Sequence, residues 1–398
     1  MLKSKIQQLA AEYLEDIIAI RRHIHANPEL SFEEVNTGIF IAQQLKKYGI
    51  AHSTGWAGNG VVAILEGKNP HKKVLALRAD MDALPILEAN NVSYKSNNQG
   101  VMHACGHDVH TASLLGAARI LHALRNEWEG TIKLIFQPAE EKMPGGASIL
   151  IKEGVLQNPA PAAMLGQHVH PSLPTGKVGF RAGLFMASAD EIYITVKGKG
   201  GHGAMPELNI DAVLIAAHTL VALQQIVSRR ANPTIPTVLS FGKINSVGGA
   251  TNVLPNEVKI EGTFRTMDEV WRKEALQLIQ KMAQLTAQSM GGECEVNIVA
   301  GYPFLVNDES LTERSRRRAE DYLGAESVVK LPMRMTAEDF AYYSQLVPAC
   351  FYRIGTAALD GSKSSPVHTD TFDIDESALQ VGAGLMAWLA VSELSDVG

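Results

Sequence analysis

Cysteine, basic charge and long apolar runs are all scarce in this sequence. Three cysteines occur in 398 residues (Cys105, Cys294 and Cys350), which is too few and too scattered for a disulfide framework. We therefore expect a reducing cytoplasm. No uninterrupted apolar run reaches the roughly 18 residues that span a bilayer, and residues 1–20 carry acidic groups in a pattern typical of an amphipathic helix rather than a signal peptide.

The charge balance argues against two classes of partner. Lysine and arginine total 36 against 42 aspartate and glutamate residues, so the net charge is −6. Nucleic acid and anionic membrane surfaces both require a basic face, and we expect neither as a partner. Apolar residues make up 46% of the chain, as in globular proteins, and a chain of this length predicts two domains.

Residues 102–110 form the densest cluster of reactive side chains. The sequence MHACGHDVH contains three histidines, one cysteine and one aspartate. Thiolate and imidazole together suit zinc, cobalt or manganese. Cys105 with His107 is a weak signal alone, because the same pair also suits a cysteine nucleophile with a histidine partner.

Strands and helices alternate on both sides of this cluster. Helical spacing of apolar residues predicts helices over 4–22 and 32–48, and a further helix is expected near 337–346. Ser31 to Glu34 fits a capping box. Apolar runs predict strands, and three of these end in reactive residues: 73–77, 131–136 and 162–166. The alternation predicts an α/β fold with a mostly parallel sheet, whose strand ends carry the chemistry.

A different pattern begins near residue 187. Strands and helices follow in the order β-α-β-β-α-β over about 110 residues, as in a ferredoxin-like sandwich. We therefore expect a discontinuous catalytic domain of residues 1–186 and 300–398, interrupted by an inserted domain at 187–299.

Glu140 and Glu141 follow the apolar strand 131–136 and a proline. Two such close carboxylates repel unless a cation lies between them or one is protonated. Neighbouring side chains diverge at a strand end, so one is expected to bind a metal while the other acts as a general base. His168 and His170 share one strand face, and periodicity does not choose between them.

The order of these segments resembles that of a known family, the amidohydrolase branch of the two-metal aminoacylase-type metallopeptidases. That branch includes hippurate hydrolase, N-acyl amino acid amidohydrolases and plant hydrolases of indole-acetyl amino acid conjugates. The matching segments are 80–85 (DMDALP), 102–108 (MHACGHD), 137–141 (QPAEE), 168–171 (HVHP) and 367–369 (VHT).

The resemblance implies two divalent metal ions per chain, Mn²⁺ or Zn²⁺, with Co²⁺ or Ni²⁺ as alternatives. The ligands that it implies are Cys105, His107, Glu141, His168 and His368. It also implies Glu140 as the general base and Asp82 as the residue that orients a ligand from behind. The wider family has His-x-Asp where this chain has Asp80-Met81-Asp82, so Asp80 stands in place of a histidine ligand.

The inserted domain carries further matches. Residues 198–206 resemble a lid loop that presents His202 to a developing oxyanion. Asn252 and Arg265 resemble residues that bind the substrate, and together they suit an α-carboxylate. The resemblance also implies a homodimer formed through this lid and dimerisation domain.

The expected reaction is hydrolysis of the amide of an N-acyl amino acid such as an N-acetyl or N-benzoyl derivative. Two metals bridge a water and lower its pKa toward ~7, Glu140 removes its proton, and the hydroxide attacks the amide carbonyl. Three alternatives stay open. They are a dipeptidase or carboxypeptidase that uses the same site, a cysteine hydrolase with Cys105 as nucleophile, and a metal-binding or dimerisation module without catalysis.

Overall fold

A computed structural model describes residues 1–395, and the chain forms two compact units. The larger unit comprises Met1–Phe185, Val306–Met333 and the segment from Asp339 onward. The smaller unit comprises Met186–Leu305 and Arg334–Glu338.

Ten α-helices occur in the described residues. They are α1 (Leu2–Glu12), α2 (Leu14–Ala26), α3 (Val35–Lys47), α4 (His107–Ala123), α5 (Gly146–Lys152), α6 (Ala212–Gln225), α7 (Glu269–Ser289), α8 (Glu309–Leu323), α9 (Ala341–Ser344) and α10 (Ala378–Ser395).

Sixteen β-strands occur in the same part of the chain. They are β1 (His52–Trp56), β2 (Gly60–Glu66), β3 (Val74–Asp80), β4 (Thr131–Gln137), β5 (Ala163–Pro174), β6 (Val178–Phe180), β7 (Gly183–Met186), β8 (Asp190–Lys197), β9 (Gly201–His202), β10 (Thr237–Val247), β11 (Val253–Leu254), β12 (Glu257–Thr266), β13 (Glu293–Ala300), β14 (Leu305–Asn307), β15 (Val328–Lys330) and β16 (Ala349–Ala357).

The larger unit is built on an eight-stranded sheet with the order β1–β2–β4–β3–β5–β16–β6–β15. Its four central strands, β4, β3, β5 and β16, are parallel, and antiparallel pairs flank them. Every residue of β4 and β16 is buried, as expected for parallel strands covered by helices on both faces. The predicted α/β fold with a mostly parallel sheet is confirmed.

Strand register brings the predicted reactive residues into one row. Asp80 at the end of β3 pairs with Gln137 at the end of β4. On the other side of β3, Arg78 pairs with Gly166 of β5, which places His168 beside Asp80. Because parallel strands carry their carboxyl ends to the same edge, the sheet gathers groups that lie far apart in sequence.

The smaller unit has the predicted order of strands and helices. Its sheet has the order β10–β12–β8–β13, and each neighbouring pair is antiparallel. Helices α6 and α7 bury apolar residues such as Ile215 and Ile279 in a core shared with Ile194 of β8. This is a ferredoxin-like arrangement, and its role as a lid or dimerisation domain stays a prediction.

Three local expectations are wrong. The helix predicted over 4–22 breaks at Tyr13 into α1 and α2. The capping box fails because α3 begins at Val35 without a side-chain cap, and Ser31 instead donates its hydroxyl to Asp82 at 2.6 Å. Only α9, four residues long, forms where we expected a helix over 337–346.

Two helical stretches, Ala212–Arg230 and Ala378–Ser395, are long and apolar enough to cross a membrane by length and composition alone. In the second, 78% of the apolar window is buried inside the protein, as in the core helix of a globular domain. The first is 33% buried by the same measure. The expected absence of a membrane partner stays a prediction.

Asp190 and Arg272 form a buried ion pair inside the smaller unit. Arg272 donates Nε and Nη2 to the two carboxylate oxygens of Asp190 at 2.8 and 2.6 Å, and it also donates to the carbonyl of Gly301. Such a bidentate pair links β8 to α7 and fixes the end of the sheet.

We predict that Asp190→Ala destabilises the smaller unit by about 3 kcal/mol. The buried Arg272 guanidinium loses the carboxylate that accepts its Nε and Nη2 and keeps the more exposed Glu269 as an ionic partner. Hydrogen exchange of peptides from β8 and α7 at increasing urea concentration measures the change. Glu274→Ala is the matched control, because Glu274 pairs with Arg230 on the surface at 3.6 Å. Equal exchange in the two variants would contradict the prediction.

Candidate metal and catalytic site

The Cys105–His107 segment enters the site through a tight turn at Gly106. Gly106 has φ +80° and immediately precedes α4, a conformation that favours glycine. A Cβ at Gly106 would lie 2.7 Å from a methyl of Val169 in β5. Glycine therefore lets Cys105 and His107 approach the strand that carries His168.

His107 is oriented by Asp82. Its Nδ1 lies 3.1 Å from Oδ1 of Asp82, and both residues are buried. Its Nε2 is also buried but has no hydrogen-bond partner. A histidine held at one nitrogen by a carboxylate, with the other nitrogen free, has the arrangement of a metal ligand.

His168 is oriented in the same sense by the backbone. Its Nδ1 donates to the carbonyl of Val169 at 2.8 Å, which leaves the lone pair of Nε2 directed to Sγ of Cys105 at 3.4 Å. Burial and the neighbouring Arg353 guanidinium hold the pKa of His168 well below its usual range, so the ring is neutral and suited to bind a metal. His170, two residues further along β5, is only half-buried.

Glu141 and His368 form the more exposed side of the cluster. Nε2 of His368 lies 3.1 Å from Oε1 of Glu141, and this contact raises the pKa of His368. The backbone of His368 has φ +63°, and its N–H donates to the carbonyl of Ala104 at 2.7 Å. The distant His368 loop is thereby tied to the residue before Cys105.

The five predicted ligands fall into two sets that share Cys105. In each set the donor atoms lie within 4.8 Å of one another. One set is Cys105, His107 and His168, and the other is Cys105, Glu141 and His368. Two adjoining sets of thiol, imidazole and carboxylate donors would fit two divalent metal ions.

Asp80 adjoins the same cluster, with its Oδ2 3.8 Å from Nε2 of His107, and both of its oxygens have hydrogen-bond donors. Oδ1 of Asp80 accepts a hydrogen bond from Nδ1 of His110 at 2.5 Å, and Oδ2 accepts one from Arg78 at 2.6 Å. Nε2 of His110 in turn accepts the N–H of Val169 at 2.9 Å. Both nitrogens of His110 therefore form hydrogen bonds, and His110 links Asp80 to the backbone of β5 next to His168.

The carboxylates of the site favour the binding of a cation, as their effects on the pKa values of neighbouring groups show. Although burial works against it, Asp80 and Asp82 raise the pKa of His107 to about 10. Burial and the Glu141 and Glu140 carboxylates raise the pKa of the Cys105 thiol well above its usual range. The chemistry of the donor set, with its unpaired His107 nitrogen, fits divalent metal ions.

Glu140 lies at the inner side of the same cluster. Its Oε2 and the Oε1 of Glu141 are each 3.9 Å from Nε2 of His107. Both glutamates therefore lie equally near one nitrogen of His107, and they differ in their other neighbours. Glu140 is buried, whereas Glu141 turns toward His368.

The residues predicted to bind substrate lie in the smaller unit. His202 in β9 is exposed, and its Nδ1 accepts the N–H of Ala204 at 3.1 Å, which leaves Nε2–H as a donor. The carbonyl of Asn252 accepts the N–H of Gly203 at 2.8 Å. Arg265 of β12 donates to Thr263, and no hydrogen bond joins it to Asn252 among the described residues.

Sequence reasoning missed His110 and Arg78. His110 follows His107 by three residues, so the start of α4 at His107 puts both rings on one face. Arg78 precedes Asp80 by two residues, so both side chains point to the same face of β3. These two spacings in the sequence could have indicated that His110 and Arg78 lie next to the site.

Comparison with known proteins agrees with the geometry. A sequence model of the family described as peptidase family M20/M25/M40 matches residues 76–391. The chain is 43% identical over 307 residues to an N-acyl-L-amino acid amidohydrolase of Geobacillus stearothermophilus, covering 77% of this chain and 82% of that protein. It is 37% identical over 393 residues to thermostable carboxypeptidase 2 of Saccharolobus solfataricus, covering 98% of each.

A solved structure shows the same fold. It is that of a Bacillus subtilis protein described as a dinuclear metal-binding peptidase of the M20 family. The TM-score is 0.82 at 33% identity, over 97% of this chain and 100% of that one.

We predict that metal binding becomes tighter as the pH rises from about 6 to 8, by about tenfold per pH unit for each proton released. In this window His107 is protonated, because its pKa is about 10, and the Cys105 thiol is protonated as well. Both must lose a proton to bind a metal. Calorimetry in buffers of different ionisation enthalpy counts the protons.

Cys105→Ser provides the control for this titration, because the variant has no thiol proton to release when the metal binds. Its affinity is expected to depend less steeply on pH than that of the wild type. Wild-type affinity that stays constant over the window would contradict the assignment.

Proposed function

Because this chain belongs to peptidase family M20/M25/M40 and is a metal-dependent hydrolase, we propose that it cleaves the amide bond of N-acyl amino acids. The products are a carboxylic acid and a free amino acid. The strongest support is the position of Glu140. It lies beside His107, at the edge of the sheet where the two candidate ligand sets that contain Cys105 are found.

In this proposal the five residues Cys105, His107, Glu141, His168 and His368 would hold two divalent metal ions. The ions supply Lewis acidity, which lowers the pKa of a water and polarises the amide carbonyl. Mn²⁺ or Zn²⁺ is the expected ion, and Co²⁺ and Ni²⁺ also suit sulfur and imidazole donors.

Glu140 acts as the proton carrier. Its carboxylate takes a proton from the attacking water and later delivers that proton to the leaving amine, since the free amine must depart protonated. Asp82 keeps the His107 ring in the tautomer that exposes Nε2. His202 donates its Nε2–H to the oxyanion, while Asn252 and Arg265 bind the α-carboxylate.

A carboxypeptidase or dipeptidase activity is the second candidate. The similarity to a carboxypeptidase over nearly the full length of both chains favours it. The same site residues would serve, because an N-acyl amino acid and a dipeptide present the same amide and the same α-carboxylate. Rates on N-acetyl and N-benzoyl amino acids, compared with those on dipeptides, separate the two.

A cysteine nucleophile is disfavoured by the surroundings of Cys105. The thiol is buried among carboxylates that raise its pKa, whereas reactive thiolates lie in electropositive, partly exposed sites. His168 beside it is neutral and directs a lone pair to the sulfur. The pair is better suited to bind a metal than to attack a carbonyl.

We also propose a cytoplasmic location, since the three cysteines are buried and free. Disulfides form mainly in oxidising compartments, and their absence among these buried thiols agrees with a reducing one. Cell fractionation with an antibody to this chain tests the location.

A homodimer formed through the smaller unit is part of the proposal. Strand β10 is an edge strand with exposed Ile244 and Val247, and α6 exposes Leu214 and Val221. Exposed apolar groups beside an unpaired edge favour pairing with a second chain.

We predict that the protein sediments with the mass of two chains, and that the double variant Val221→Glu with Ile244→Lys sediments with the mass of one chain. Wild-type protein that sediments as one chain would contradict the dimer.

We predict that Glu140→Gln lowers kcat by about 10²–10⁴-fold while metal content stays at the wild-type level, because the amide cannot carry the proton. Turnover of an N-acyl amino acid and elemental analysis of the same sample measure both quantities.

Glu141→Gln is the matched variant for this measurement. It changes the neighbouring glutamate in the same way and is expected to lose metal. Retention of more than about a tenth of wild-type turnover by Glu140→Gln would contradict its role as the base.

A further inference from the structure

The turn that carries Glu140 is held in an unfavourable backbone conformation. Ala139, the residue before it, has φ +54°, a region that residues with a Cβ adopt at a cost. The carbonyl of Ala139 accepts the N–H of Gly146 at 2.8 Å. On the other side of Glu140, the N–H of Glu141 donates to Oδ2 of Asp82 at 2.9 Å.

The remaining polar group of Ala139 is held by a residue that the proposed mechanism does not use. Its N–H donates to Oε1 of Glu34 at 2.7 Å. Glu34 immediately precedes α3, far from the turn in sequence, and its side chain is fully buried. Its other oxygen accepts a longer hydrogen bond from Asn59 at 3.3 Å.

The surroundings of Glu34 make this contact costly to maintain. No ion pair involves Glu34 among residues 1–395. Burial and the nearby Asp82 carboxylate raise its pKa to about 7. A buried carboxylate without a cation destabilises a fold unless its hydrogen bonds compensate, and the hydrogen bond from the Ala139 N–H is shorter than the one from Asn59.

We propose that Glu34 is a positioning residue for Glu140, acting through the N–H of Ala139. This inference rests on the proposed role of Glu140 as the general base. Glu34 holds the peptide group that precedes Ala139, and Asp82 holds the one that follows Glu140. With the Gly146 contact to the Ala139 carbonyl between them, the backbone that carries the Glu140 side chain is held on both sides. Among the described residues, no hydrogen bond or ion pair joins the side chain of Glu34 to any of the five ligands.

The expected effect is on kcat rather than on binding. Glu34→Ala removes the acceptor at Ala139 and is expected to lower kcat about 10- to 100-fold, the loss typical of a catalytic group displaced by about 1 Å. KM and metal content stay at wild-type levels. Glu34→Gln keeps an oxygen for the Ala139 N–H and is expected to recover most of kcat.

Glu33→Ala is the matched control. Glu33 is the exposed neighbour of Glu34, so its removal changes charge at the same place in the chain without touching the turn. Wild-type kcat is expected in this control. Wild-type kcat in Glu34→Ala, or loss of metal from it, would overturn the proposal.

Glu34→Asp replaces Glu34→Ala as the test of the positioning role if Glu34→Ala fails to fold. The shorter side chain keeps the charge but withdraws the oxygen from Ala139. It is therefore expected to have a lower kcat than Glu34→Gln. An equal or higher kcat would mean that charge, rather than the hydrogen bond, matters, which overturns the proposal.

A double variant separates this inference from the proposed mechanism. If Glu34 acts only through Glu140, Glu34→Ala has no further effect on the residual turnover of Glu140→Gln. A further loss of the same size as in the wild-type background would place its action elsewhere. If Glu34→Ala keeps wild-type kcat while Glu140→Gln is inactive, only the positioning role of Glu34 is overturned. If Glu140→Gln is active, the general-base role of Glu140 and the positioning role of Glu34 are both overturned.

Discussion

The site depends on the buried carboxylate of Asp82, which joins three distant segments. It contacts Nδ1 of His107 at the start of α4, the N–H of Glu141 after β4, and the hydroxyl of Ser31 before α3. These contacts overcome the burial that would raise its pKa, so the pKa of Asp82 is lowered. An ionised carboxylate at this point both orients a histidine and fixes the glutamate pair.

Charge balance explains why such a cluster suits metal ions. Asp80 pairs with the Arg78 guanidinium and accepts a hydrogen bond from His110. Glu140 and Glu141 lie beside the His107 ring, and Glu140 also lies near the Asp339 carboxylate. This edge of the sheet therefore carries an excess of carboxylates. Divalent ions at thiol, imidazole and carboxylate donors would relieve that excess.

Periodicity and strand ends were enough to predict the sheet and the region of the site. Apolar runs mark buried strands, and parallel strands deliver their ends to one edge, so the edge that carries Asp82 and Glu140 was predictable. Periodicity did not choose between His168 and His170, and the choice of His168 came from the family resemblance. Contacts remote in sequence were not predictable in the same way. Ser31 and Glu34 looked like a local helix cap, but their side chains contact residues 51 and 105 positions away.

The most direct test of the account is the metal content of the purified protein, followed together with amide hydrolysis through chelation and metal restoration. We predict close to two ions per chain, with turnover of N-acyl amino acids that disappears on chelation and returns with the restored ion. Turnover that survives complete removal of metal would contradict the account and leave the Cys105 thiol to be tested by alkylation.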